Sequence, residues 1–132
     1  MTVFINTSAF FAILDADDRQ HQAAKQMWIT LLNDSADLVC SNYVIVETTA
    51  LVQNRLGIEA VRTFQEEMFP VVRTERIDDP MHHAGVTALL TAGQRHLSLV
   101  DCVSFGLMRR LGIRRAFAID AHFSEQGFEV VP

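Results

Sequence analysis

The chain has 132 residues, 49% of them hydrophobic, which is enough for one domain with a full core and no metal or disulfide staples. Its formal charge of −5 argues against a protein that holds nucleic acid by bulk electrostatics, while leaving room for a small local site. No apolar run approaches the ~18 residues that span a membrane. The N-terminus carries neither a basic region nor a small-residue cleavage site, and Cys40 and Cys102 have no close partner, so the expectation is a cytoplasmic protein with buried thiols.

Val3 to Ile5 is a short, continuous run of β-branched and aromatic residues, as in a strand buried on both faces. It stops on Asn6, Thr7 and Ser8, and Ser8 to Leu14 predicts a short helix. After the polar connection Asp15 to Asp18, Arg19 to Asn33 carries an apolar helical stripe through Ala23, Met27, Leu31 and Leu32. Leu38 to Cys40 predicts a second strand. Asn42 to Leu56 is helical and stops at Gly57, and Ile58 to Phe69 predicts a helix ended by Pro70. Val71 to Ile77 is extended, Asp79 caps a helix that begins with Pro80 and runs to about Gly93, and Ser98 to Leu111 is a further helix before Gly112. Ala116 to Ile119 is a strand, Ala121 to Gln126 a short helix and Phe128 to Val131 a last strand. Short apolar strands alternating with helices predict one α/β domain: a three-layer α/β/α sandwich with a mainly parallel central sheet. In such sheets ligands collect beyond the carboxyl ends of the strands.

Four polar residues fall at that edge. Glu47 shares a helix surface with Tyr43, Val44, Ala50 and Leu51, where an ionised carboxylate needs a cation or donors unless it marks the edge of the stripe and reaches water. Asp101 lies among Ser104, Phe105 and Met108, and as the third residue after the cap Ser98 it also suits the positive end of its helix. Asp120 follows the strand FAI and precedes a short helix, as a cap does, and Asn6 holds the matching place after the first strand. Each has a bland structural reading. Together they put three carboxylates and an amide at one edge, a hard-oxygen set that suits Mg²⁺ or Mn²⁺. Such an ion generates a hydroxide nucleophile and neutralises charge on a phosphoryl group under attack.

Taken in order, INTSAFFAILDADDRQH, NYVIVETTALV, HLSLVDCVSFGLMRRLGI and AFAIDAHFSEQGFEVV resemble the PIN-domain nucleases, in particular the VapC-type toxins of bacterial toxin–antitoxin pairs. The match spans nearly the whole chain and includes the closing Gly127-Phe128. The resemblance implies Mg²⁺-dependent hydrolysis of RNA phosphodiester bonds, with Glu47, Asp101 and Asp120 as metal-binding acids and Ser8 supporting the first acidic position. It also implies a homodimer and a cognate antitoxin that inserts a peptide near the site. The sequence departs from the family pattern at Ala118, where many relatives carry Thr, and at Asn6, where the family has Asp. An amide oxygen can coordinate a metal but brings no negative charge. Weak Mg²⁺ binding and slow or absent cleavage are therefore expected, whether Asn6 marks a natural degenerate copy or an engineered inactive form. The competing reading is a non-catalytic module of the same fold that binds RNA or a protein.

Other features point less far. Arg109, Arg110, Arg114 and Arg115 form a basic cluster that belongs to the opposite end from the carboxylates and matches a helix C-terminus. His82, His83 and His96 lack a zinc partner set, and Asp15 to Asp18 lacks the Gly and distal Glu of a calcium loop. Phe10, Phe11, Met27, Trp28, Leu31 and Leu32 predict core, with room for a partner groove between two early helices. A phosphoacceptor receiver would need a lysine near a late strand end, and the only lysine is Lys25. Dinucleotide binding lacks its glycine-rich turn.

Overall fold

In the computed structural model, which describes residues 1–132, five strands form one wholly parallel sheet. They are β1 (Thr2–Ile5), β2 (Asp37–Ser41), β3 (Arg73–Glu75), β4 (Arg115–Phe117) and β5 (Glu129–Val131), in the order β3-β2-β1-β4-β5. The register pairs Phe4 with Val39 on one side and with Ala116 on the other. Val3, Phe4 and Ile5 have no exposed surface, so both faces of the central strand are covered, as a parallel sheet requires. The covering helices are α1 (Thr7–Leu14), α2 (His21–Asn33), α3 (Asn42–Leu56), α4 (Ile58–Thr63), α5 (Asp79–Ala92), α6 (Leu99–Leu111) and α7 (His122–Glu125). No helix is long and apolar enough to cross a membrane.

The chain builds outward from β1 through β2 to β3, then returns to the other flank of β1 with β4. That reversal makes the carboxyl end of the β1–β4 pair the switch point of the sheet. The pairing continues one residue past β1, where Asn6 N–H donates to the Phe117 carbonyl at 3.0 Å. Beneath this edge the core is aromatic. Phe10 meets Phe64 edge-on at 5.0 Å between ring centroids, and Phe105 meets Phe123 at 5.0 Å.

Several boundaries differ from the sequence reading. The α2 stripe is rotated: Ala24, Trp28 and Leu31 are buried while Ala23 and Leu32 face water. The largest side chain takes the core position, where the Trp28 ring sits edge-on to Phe10 at 6.3 Å. The helix from Ile58 does not stop at Pro70. It widens into a π turn at Phe64–Met68, and Pro70 lies in a 3-10 turn at Phe69–Val71. Proline brings no N–H for the preceding turn, and the N–H of Phe69 instead reaches back five residues to Phe64. The extended stretch that follows shortens to β3. The cap of α5 is Asp78, whose side chain accepts from Met81 N–H at 3.0 Å. Asp79 becomes the first helical residue, with its charge in the positive first turn.

Candidate functional site

Asn6, Glu47, Asp101 and Asp120 line one open cleft of about 330 Å³ at the switch point, together with Thr7, Ser8, Leu51, Ser98 and His122. Each arrives by a different element. Asn6 leaves β1, Asp120 lies three residues beyond β4, Glu47 sits in the second turn of α3 and Asp101 in the first turn of α6. Asn6 and Asp101 are buried, while Glu47 and Asp120 are half-buried.

Asn6 is the N-cap residue of α1, yet its side chain does not cap the helix. Its amide nitrogen donates instead to Ser8 Oγ at 3.0 Å and to Asp120 Oδ2 at 3.2 Å. Those acceptors fix the amide's orientation, because the opposite one would set its oxygen against the Asp120 carboxylate. Asn6 Oδ1 is consequently left buried without a partner. Ser8 Oγ also accepts from Ile119 N–H at 3.0 Å, so one hydroxyl ties α1 to the chain just ahead of Asp120. Asp120 Oδ1 accepts from His122 N–H at 3.0 Å, which fixes the carboxylate and starts α7. Asp120 is not the cap expected of it: Ala121 holds the cap position, and the Asp120 carboxylate instead closes a turn two residues long just ahead of the helix.

Asp101 and Ser98 form a reciprocal capping box: Asp101 N–H donates to Ser98 Oγ at 3.0 Å, and Ser98 N–H donates to Asp101 Oδ2 at 3.2 Å. The structural and the site readings of Asp101 hold together, since a carboxylate has acceptor capacity left after one such bond. Burial raises the Asp101 carboxyl above its ordinary value, and the charge of Asp120 raises it further. The Ser98 bonds and His122 oppose the rise. Burial likewise raises Glu47, aided by Asp101 and Asp120. It is opposed by the Thr7 hydroxyl, which itself accepts from Thr48 Oγ1 at 3.0 Å. A carboxyl raised above its ordinary value is a stronger base once ionised.

Thr7 and His122 were not singled out by the sequence. Thr7 is the first helical residue after Asn6, and His122 lies two beyond Asp120, stacked on His96 at 5.4 Å. Proximity to the strand ends was the available signal. His82 is not metal-like in its surroundings: its Nδ1 hydrogen-bonds the Tyr43 hydroxyl at 2.6 Å. Of the basic cluster, Arg115 pairs with Glu129 at 2.9 Å, and Arg109 bonds Gln126 Oε1 at 2.9 Å while lying over the Phe128 ring. Arg115 opens β4, whereas Asp120 follows its far end, so the cluster and the cleft occupy opposite ends of the sheet.

No three His, Cys, Asp or Glu side chains stand together at metal-holding spacing. The donor set nevertheless fits a hard divalent cation in kind. Three carboxylates and the Asn6 amide offer oxygen ligands, with the His122 imidazole also on the wall, and Asn6 Oδ1 is an unpartnered buried carbonyl of the sort such an ion takes. Mg²⁺ keeps several waters and needs only one or two carboxylates from a protein, so an open arrangement is no obstacle.

The family model described as the PIN domain matches residues 3–129. The chain is 34% identical over 132 residues to the 23S rRNA-specific endonuclease VapC20 of Mycobacterium tuberculosis, with 98% of each chain covered. It is similar to the crystal structure of that protein, described as a sarcin–ricin loop cleaving toxin, with a TM-score of 0.87, 33% identity, and 98% and 99% of the two chains covered. The structure of FitAcB from Neisseria gonorrhoeae shares the fold at a TM-score of 0.70 and 13% identity, covering 100% of this chain and 97% of that one. With a family model over nearly its whole length and a relative above 30% identity end to end, the chain belongs to the PIN-domain family.

Proposed function

We propose that the protein is a Mg²⁺-dependent (or Mn²⁺-dependent) endoribonuclease, the toxin of a toxin–antitoxin pair, slowed by Asn6. The convergence of Asn6, Glu47, Asp101 and Asp120 in one cleft at the switch point carries this reading, and the endonuclease activity named for VapC20 supports it. In it, Glu47, Asp101, Asp120 and Asn6 Oδ1 would hold the cation, which would supply a hydroxide nucleophile and neutralise phosphoryl charge. Ser8 and the His122 N–H orient Asp120 and its surroundings. Thr7, anchored by Thr48, steadies Glu47 in its ionised form. Substrate is RNA, and the 23S rRNA named for VapC20 is the first RNA to try. A toxin implies a neutralising antitoxin, and we extend the reading to a homodimer acting in the cytoplasm beside its RNA.

The test compares the chain as written with Asn6→Asp on 23S rRNA, with Mg²⁺ or with a chelator. Asn6→Asp should cut at defined positions only with the metal. The chain as written should be slower by about 10²-fold or more, the scale of losing one preorganised charge contact in an active site. Equal rates would show that Asn6 does not weaken the site. No cutting by either protein would reject the nuclease and leave the second reading, a non-catalytic RNA- or protein-binding module. That reading is favoured by one observation: the Asn6 amide already satisfies Asp120 without a cation.

A further inference from the structure

The acidic cleft opens sideways into a second hollow of about 310 Å³, and the two share Ser8, Leu51 and Asp120. The walls of the second hollow are Phe11 from α1, Leu51 and Arg55 from α3, and Ile119. Glu47, Leu51 and Arg55 recur every four residues and so lie along one face of α3, with Arg55 about 12 Å from Glu47 along the axis at ~1.5 Å per residue. Arg55 is exposed, stands over the Phe11 ring at 6.0 Å and takes part in none of the chain's ion pairs. Among the residues lining either hollow it is the one lysine or arginine. Asp18, on the same wall, turns its Oδ1 to the N–H of Gln20 at 2.8 Å.

We propose that Arg55 and Phe11 form a single-stranded RNA subsite beside the acidic cleft, in which the guanidinium binds a backbone phosphate and the ring stacks on a neighbouring base. The inference rests on the nuclease reading and names the part of the molecule that positions its substrate. A polyanion approaching three carboxylates in a protein of charge −5 needs a compensating cation close by. The 109–115 cluster is at the far end of the sheet, and two of its arginines are engaged by Glu129 and Gln126. Arg55 is adjacent and takes part in no ion pair. A stacked strand advances ~3.4 Å per nucleotide, so a phosphate at Arg55 lies within about four nucleotides of one held at Glu47. An aromatic face beside a free guanidinium is the pairing by which sequence-tolerant strand binders hold base and backbone together.

The experiment is fluorescence anisotropy with a labelled single-stranded RNA of about twelve nucleotides, using the slow chain as written in Mg²⁺ over a range of salt, with the RNA checked for integrity. Arg55→Ala should weaken binding about tenfold and lower the slope of log K against log salt by about 0.7, the release from one phosphate contact. Arg55→Lys should keep the slope. Phe11→Leu should weaken binding about fivefold with the slope unchanged, because stacking releases no counterion. Arg110→Ala and Arg114→Ala, at the opposite end, should leave affinity and slope alone. Thermal melts of each variant guard against misfolding, and a lost fold would not alter the salt slope of the protein that remains native. If the parent binds and Arg55→Ala changes neither affinity nor slope, or if Arg110→Ala or Arg114→Ala takes the effect, the subsite is wrong while the nuclease reading stands. If the parent does not bind RNA and Asn6→Asp does not cleave it, both fall.

Discussion

In the Asn6→Asp protein, an amide that donates to Asp120 Oδ2 at 3.2 Å becomes a carboxylate facing a carboxylate. Two unit charges 3.2 Å apart repel by about 5 kcal/mol at an effective dielectric of about 20. The lost charge-assisted hydrogen bond adds about 1.5–3 kcal/mol. The pair can escape most of this by sharing a proton, which restores an O–H···O contact. Carrying one carboxyl from about 4 to about 7 costs about 4 kcal/mol at 1.36 kcal/mol per unit, and that sets the ceiling at neutral pH.

Without metal, Asn6→Asp should therefore lie about 4 kcal/mol below the parent at about pH 7, which lowers Tm by about 15 °C for a domain of this size. The deficit should nearly vanish at about pH 4, where the shared proton is free of cost. Millimolar Mg²⁺ should then restore the variant, by about 2.7 kcal/mol at a hundred times its Kd, and should barely move the parent. Circular dichroism melts of both proteins in chelator and in Mg²⁺, at the two pH values, read all of this without any RNA. The reasoning is refuted if the metal-free variant melts with the parent at neutral pH, or if Mg²⁺ raises both equally.

Glu47 titrates in the opposite sense to a salt-bridged acid. Its folded value lies above the ordinary 4.5, so its stabilising contribution is complete below that pH and is lost as pH rises through the raised folded value. Chelated protein should thus lose stability as pH rises above 4.5, and Glu47→Gln should flatten the curve; a Tm profile that Glu47→Gln leaves unchanged would contradict it. Ser8→Ala removes the acceptor of Ile119 N–H and of the Asn6 amide, which should cost about 1–3 kcal/mol in urea unfolding. Ser8→Thr, which keeps the hydroxyl, should recover part of that loss. At Gly85 an added Cβ would overlap Val103 Cγ1, where α5 crosses α6. Gly85→Ala should destabilise by about 1–3 kcal/mol and be relieved by Val103→Ala, as a double-mutant cycle would read.

The order of strands and helices was legible because periodicity and punctuation agree over most of the chain. Asn42–Leu56 falls between a strand end and Gly57, and its predicted limits match those observed. The convergence of Asn6, Glu47, Asp101 and Asp120 in one cleft was legible for a different reason: a parallel sheet sends every strand's carboxyl end to one edge, so polar residues placed there converge without any long-range contact being known. What local pattern does not carry is competition between neighbours. Whether Ala23 or Ala24 faces inward on α2 depends on where the Trp28 ring finds Phe10, and the fate of Pro70 depends on how the preceding turn yields. Asn6 was read as a helix cap, a role its residue type favours, but Ser8 and Asp120 offer better acceptors for its amide than α1 offers donors for its oxygen. Arg55 was invisible as a site residue. Its link to the cleft runs through α3 and the hollow beside Phe11, and an arginine in the last turn of a helix is otherwise unremarkable.

The same edge explains how the chain tolerates its acids and what Asn6 alters. Helices α1, α3 and α6 all begin there, so their positive ends offset part of the carboxylate charge. Asp101, in the first turn of α6, draws fully on that effect and on the Ser98 bonds. Glu47 lies beyond the first turn of α3 and draws on it little; burial weighs first in raising both carboxyls, opposed at Asp101 by the Ser98 bonds and at Glu47 by the Thr7 hydroxyl. At position 6 a second carboxylate could be reconciled with Asp120 only by a cation or by a shared proton, whereas the amide reconciles itself by donating to it. The chain beyond β1 and the chain beyond β4 are therefore joined through a hydrogen bond where a pair of carboxylates would need an ion or a shared proton. In the proposed site, the amide that withholds one charge from a cation also removes the repulsion that would make this edge call for one.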